Sequence, residues 1–170
     1  MPDLHESASQ TAGPYVHIGC TPNFIGIEGI YPEDLGGDPY PDPTDPIEIT
    51  FEINVGGWAP LVDGFLESWQ ADEFCNFGPG QLGWARRAAS PEGQITLRTV
   101  KPAAVAPHAP HLMLWIVARG INLGLGTRLY FPGDDLSSDP AVQAIPEPKR
   151  IDTVVAQQTG PAAYRHIIRL

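Results

Sequence analysis

In the run Ile47-Glu-Ile-Thr-Phe-Glu-Ile53 every odd position is apolar and every even position polar. Successive side chains of a strand point to opposite faces, so this alternation predicts a half-buried β-strand. By the same reading, strands are predicted over Ile47–Val55, Leu61–Trp69, Gln94–Val100, His111–Arg119, Thr127–Phe131, Ile151–Val155 and Tyr164–Leu170. They are short and bounded by Pro and Gly, and runs with helical period are scarce, which points to a sandwich or barrel. One all-β domain over residues 1–170 is expected, with no internal repeat and no helix essential to function. The segment Tyr31–Pro46 (YPEDLGGDPYPDPTDP) breaks the rhythm. Its prolines remove ladder donors and its acids favour water, so it is expected as an irregular surface loop rather than a proline-rich recognition ligand.

Composition narrows the classes. Nineteen prolines and eighteen glycines in 170 residues suit a loop-rich β fold long enough for one compact core. The net charge of −10 argues against a nucleic-acid surface, which needs clustered Lys and Arg. No apolar run reaches the ~18 residues of a membrane span, and Met1-Pro-Asp-Leu-His-Glu lacks the basic start and apolar core of a secretion signal. A cytoplasmic location is expected. Cys20 and Cys75 are too few for a disulfide framework and are expected as reduced thiols.

The polar residues that are candidates for chemistry read blandly on their own. His108 and His111 are three apart across Pro110, a spacing that does not share a strand face, so they make a poor metal pair. His5, His17 and His166 have no companions at ligand spacing. Asp134-Asp135 reads as a turn or helix cap rather than a cation loop.

Four segments taken together say more. They are Gln10-Thr-Ala-Gly-Pro-Tyr-Val-His-Ile-Gly19, Asp63-Gly-Phe-Leu-Glu-Ser-Trp-Gln-Ala-Asp72, Gly93-Gln-Ile-Thr-Leu-Arg-Thr-Val-Lys-Pro102, and Ala106-Pro-His-Ala-Pro-His-Leu-Met-Leu-Trp-Ile-Val-Ala-Arg-Gly-Ile-Asn122 running on to Thr127-Arg-Leu-Tyr-Phe131. In this order they resemble the α-type chains of the intradiol ring-cleaving dioxygenases, a family that uses non-haem ferric iron. The fold implied is a single antiparallel β-sandwich with long Pro/Gly-rich loops, in which residues 1–19 form an N-terminal arm contributing to an intersubunit pocket.

Catalytic chains of that family hold Fe(III) with two tyrosines and a His-x-His pair on one strand. Here the matching triplet is His111-Leu112-Met113, and a thioether is a poor donor for a hard ferric ion. Glu73-Phe-Cys-Asn-Phe-Gly78 follows the Trp-Gln-Ala segment without a phenol, and Ala103-Ala-Val-Ala-Pro107 follows Lys101-Pro102 without one. The resemblance therefore implies a chain that binds no metal itself and has no catalytic residue of its own. It would complete the active site of a β-type partner subunit, which carries the iron, in a higher-order hetero-oligomer. The reaction implied is cleavage of protocatechuate by O2 to 3-carboxy-cis,cis-muconate.

The residues implied for the substrate pocket are Thr11, Gly13, Pro14, Tyr15 and Arg119. Glycine admits close backbone approach, proline stiffens the path, threonine offers a hydroxyl, and a guanidinium suits a substrate carboxylate. From the residues alone, the arm reads rather as an extended segment docked on its own sheet, and only the resemblance favours the pocket; for Arg119 the alternative is a strand-end arginine paired with a surface acid. Arg128 is expected to hold the sheet or a subunit contact, and Trp69 to pack in the core or at an interface. Two other functions remain open: an α-type subunit for another substituted catechol, and a non-enzymatic sandwich module that has lost its metal ligands.

Overall fold

The computed structural model describes residues 8, 10–40, 42–57, 59–78 and 83–170. Among these residues nine strands form two facing sheets: β1 (Pro46–Val55), β2 (Ala59–Pro60), β3 (Gly64–Trp69), β4 (Trp84–Ala88), β5 (Gln94–Val100), β6 (His111–Ala118), β7 (Leu125–Tyr130), β8 (Gln157–Gly160) and β9 (Ala163–Arg169). One sheet runs β2-β1-β9-β8, with β5 also paired to β1; the other runs β4-β3-β6-β7. The alternation read in β1 is the reason for its burial. Ile49, Phe51 and Ile53 are fully buried, while Glu48, Thr50 and Glu52 lie on the other face. Opposite them, β6 turns Leu112, Leu114, Ile116 and Ala118 inward, and these residues share one core with Ile95, Leu97 and Leu129.

Two expectations need correction. Pairing is antiparallel between all neighbouring strands except β1 and β9, which run parallel from Glu48 opposite Ala163 to Asn54 opposite Arg169. A parallel pair needs a long connection, and here β2 to β8 all lie between the two strands in sequence; after β7 the chain returns through residues 131–162 by way of the short helix α2 (Pro140–Gln143), a 3-10 turn and β8. That 3-10 turn, Pro148–Val154, occupies most of the predicted strand Ile151–Val155. Within the turn, Ile151 and Val154 pack inward on the cluster of Ala109, Tyr130 and Val142, a spacing of three that suits a 3-10 helix; Val155, just past it, joins the same cluster and bridges Tyr130.

The described residues of the proline-rich stretch, 31–40 and 42–45, form no strand or helix. It has a structural task, because β4 is an edge strand. The Arg86 amide donates to the Gly36 carbonyl at 2.8 Å and the Gly83 amide to the Pro39 carbonyl at 3.3 Å, so the loop occupies the hydrogen bonds that an open edge would present.

Candidate functional site

Residues 1–7 and 9 of the N-terminal arm lie outside the described residues; the described part is tied to the sheet at Ala12 and then curls. The Ala12 amide donates to the Ile121 carbonyl and the Gly120 amide to the Ala12 carbonyl, both at 3.1 Å. Beyond that two-way bond, Val16–Cys20 forms a single helical turn, α1, that packs over β3 and β6. The arm therefore docks on its own sheet, and the docking leaves Thr11, Gly13, Pro14 and Tyr15 exposed, Tyr15 to 75%.

Arg119 lies beside that bond, at the end of β6. Its amide donates to the Asp63 carbonyl at 2.9 Å, and its guanidinium reaches an Asp63 carboxylate oxygen at only 3.5 Å, with most of the side chain in water. A long, exposed ion pair of this kind contributes little to stability and leaves the guanidinium available. The pairing of Ala12 with Gly120 and Ile121 thus puts all five predicted pocket residues on one exposed patch.

The segments expected to carry metal ligands also converge, at the other end of β6. His111, Met113, Phe77 and Val105 line one small pocket with Trp69 and Gln70. The pocket measures about 20 Å3, room for about one water. Phe77 stacks on Trp69 with ring centres 6.1 Å apart and planes 9° from parallel. Burial lowers the His111 pKa, and its Nδ1–H donates to the Ala109 carbonyl at 2.8 Å. One imidazole, a thioether and a phenyl ring do not suit ferric iron. Among the described residues no three His, Cys, Asp or Glu side chains gather as a metal site.

The two places are far apart. Eight residues of strand separate His111 from Arg119, roughly 26 Å at ~3.3 Å per residue. The exposed patch therefore cannot serve chemistry at this chain's own His111–Met113 position.

His108 and His111 do meet, ring centres 5.6 Å apart, but His108 belongs to a buried clamp. Asp139, fully buried, caps α2 by accepting from the amides of Ala141 and Val142, and it also accepts from the Ala109 amide at 2.9 Å. His108 Nδ1 lies 3.2 Å from the same carboxylate and 3.0 Å from Arg128, whose guanidinium donates to the Tyr130 hydroxyl at 3.3 Å. Burial opposes ionisation of Asp139, but the bonds from His108 and the amides outweigh it and hold the pKa at about 2. Arg128 is thereby a structural residue. Sequence reasoning missed Asp139; its signal was Asp-Pro before an apolar residue, an N-cap followed by proline at the first helical position. Asp134 pairs with Lys101 at 2.8 Å, and Asp135 accepts from the Ser137 amide, the turn role expected.

Trp69 is not a core residue. It is 37% exposed and belongs to an outward apolar face with Trp84, Met113 and Trp115, lining a groove of about 380 Å3 bordered by Glu67 and Arg128. Gln70 is buried and joins the sheets: its amide donates to the Val100 carbonyl at 2.9 Å and its oxygen accepts from the Thr99 hydroxyl at 2.7 Å.

The chain is 36% identical over 185 residues to the protocatechuate 3,4-dioxygenase alpha chain of Pseudomonas putida, covering 98% of this chain and 92% of that one. It belongs to the protocatechuate 3,4-dioxygenase alpha-chain family. The alpha chain of Burkholderia cepacia is 27% identical over 188 residues, covering 100% of this chain and 94% of its own. No protein-family model matches. Among solved structures, the fold is shared with an intradiol ring-cleavage dioxygenase from Tetranychus urticae (TM-score 0.65, 13% identity, 84% of this chain and 88% of that one). It is shared also with the dioxygenase domain of a carbohydrate-binding fusion protein from Streptomyces sp. SirexAA-E (TM-score 0.63, 23% identity, 84% and 94%).

No helix among the described residues is long and apolar enough to cross a membrane. Cys20 and Cys75 are free thiols.

Proposed function

We propose that this chain is the non-iron-binding subunit of a cytoplasmic protocatechuate 3,4-dioxygenase. It would complete an active site whose Fe(III) is held by a β-type partner in a hetero-oligomer. The observation that carries the reading is the separation inside one family member of an unsuitable metal position from an exposed patch of pocket residues. At the His111–Met113 end the donors are wrong and the space is filled by Phe77; at the Arg119 end a cation, a hydroxyl and a proline-stiffened arm face outward.

In this reading the partner's iron would bind the catecholate and activate it toward O2. This chain's part is binding and orientation. Arg119 swings from its long contact with Asp63 to the substrate carboxylate. Thr11 offers its hydroxyl beside it, and Gly13 and Pro14 bring the backbone close without a bulky side chain. Tyr15 and the arm exclude water, which strengthens the Arg119–carboxylate contact. The outward face of Trp69, Trp84, Met113 and Trp115 is the expected contact with the partner, since an exposed apolar patch of this kind marks an interaction surface.

The test is Arg119→Ala in the reconstituted complex. A charge-assisted contact of about 1.5–3 kcal/mol predicts a fall of roughly ten- to a hundredfold in kcat/KM for protocatechuate. The visible spectrum of the iron should stay unchanged. Catechol, which lacks the carboxylate, should lose far less. Equal losses for both substrates would make Arg119 a structural residue and withdraw the pocket assignment.

A further inference from the structure

A further cavity, lined by none of the residues of the two places described above, lies where the sandwich opens between β7 and β9. It holds about 550 Å3, within the usual range of small-molecule sites. Its floor is apolar, formed by Ile116 of β6, Leu125 of β7, Ile168 of β9 and Val154 of the 3-10 turn, with the buried His166 beside them. Arg150 and Arg169 line it as well, and Ala144 stands in its wall.

Charge singles this cleft out. The chain has ten Lys and Arg against twenty Asp and Glu. Arg86, Arg87, Lys101, Arg119, Arg128, Lys149 and Arg165 each ion-pair with a carboxylate. Among the described residues Arg98, Arg150 and Arg169 have no acidic partner within ion-pair distance, and two of these three line the one cleft.

The backbone adds donors. The Leu170 amide donates to the Asn54 carbonyl and the Ala162 carbonyl accepts from the Glu48 amide, so even-numbered residues of β9 turn their peptide groups toward β1. Odd-numbered ones turn away from it, and β8 covers that side only as far as Arg165. The N–H groups of Ile167 and Arg169 therefore face the unpaired edge that borders the cleft.

An apolar floor, two unpaired guanidinium groups and free amide donors together define what fits. We propose that the cleft between β7 and β9 is a ligand site for small amphipathic carboxylates, with the apolar body on Ile116, Leu125 and Ile168 and the carboxylate between Arg150 and Arg169. The site uses only residues of this chain and is independent of the pairing proposed above. A neutral apolar molecule would leave the cations unanswered, and a compact polar anion would leave the floor in contact with water.

Decanoate is a suitable probe, titrated calorimetrically into the full chain in its native assembly, with decanol and citrate as controls. The expected result is saturable binding of one decanoate per chain, weaker binding of decanol and none of citrate. Arg150→Ala should weaken decanoate by roughly ten- to a hundredfold and decanol little. Arg150 is exposed, so this variant keeps its fold. Ala144→Phe, which fills the cleft from its wall, should abolish binding. Absence of saturable decanoate binding, equal binding of decanol, or binding indifferent to both substitutions would overturn the proposal.

Discussion

Single residues carry two testable consequences of burial. Asp139 has no exposed surface and accepts from the amides at the start of α2, the Ala109 amide and His108. Asp139→Ala removes a helix cap and strands the Ala109 N–H, a cost of roughly 2–4 kcal/mol measurable by urea unfolding. Its folded pKa of about 2 lies below the ordinary carboxylate value of 3.8, so its contribution is present above that value and is lost as pH falls through about 2. His166 titrates in a different window. Burial, opposed by a hydrogen bond with the Val155 backbone, lowers its pKa from 6.5 to about 4. The unfolded chain takes up that proton first on acidification, so stability is full above 6.5 and falls as pH drops toward 4. The loss is up to roughly 3 kcal/mol at ~1.4 kcal/mol per pKa unit. His166→Leu should flatten the melting temperature between pH 7 and 4.5; an unchanged slope would assign the acid sensitivity to other groups. Neither residue has a spacing partner: the Asp-Pro signal marks Asp139 as a helix cap at most, and its bonds to the Ala109 amide and His108, like the burial of His166, arise only in the fold.

At the scale of elements, the sequence was legible wherever one face of a strand is buried and the other wet. β1, β5, β6 and β9 alternate apolar and polar side chains and were found within a residue or so of their true ends. β4 was invisible because its sequence, Trp-Ala-Arg-Arg-Ala, buries only small alanines. Its stability comes from neighbours: Arg86 bonds Glu67 across the strand pair and lies over Trp84 and Phe65, and the loop at Gly36 covers its edge. Gly36 is held at φ +82°, and a Cβ there would stand 2.6 Å from the Arg86 nitrogen. Gly36→Ala should therefore cost at least about 1–2 kcal/mol from the left-handed conformation alone. It should also speed hydrogen exchange of the Arg86 amide, which loses the Gly36 carbonyl when the loop lifts. Unaltered exchange would mean that the β4 edge is protected by something other than this loop.

For the whole molecule, the sequence offers the candidate site only as a set of residues, and their geometry comes from the fold. The motif containing Thr11–Tyr15 and the one containing Arg119 are a hundred residues apart, and only the pairing of Ala12 with Gly120 and Ile121 unites them. That patch lies far from the His111–Met113 position, and a third feature, an exposed apolar face, lies on the outer side of the same sheet. The face makes a prediction of its own. Met113 is half exposed and sits among Trp69, Trp84 and Trp115, directly opposite Arg128 on β7. Met113→Lys puts a second cation beside Arg128 in this groove. In the isolated chain the new ammonium stays in water, so the melting temperature should shift by only a few degrees. Against a partner, the same ammonium must be desolvated beside another cation, while the carboxylate that borders the groove, Glu67, is already paired with Arg86; this costs several kcal/mol. Co-expression of the Met113→Lys chain with the iron-bearing partner should then yield separate species in size-exclusion chromatography. Substituting Met113 by Leu, which keeps the apolar surface, should leave the complex intact. A Met113→Lys chain that still elutes with its partner at full stoichiometry would move the interface elsewhere on the molecule and leave this apolar face without its proposed role.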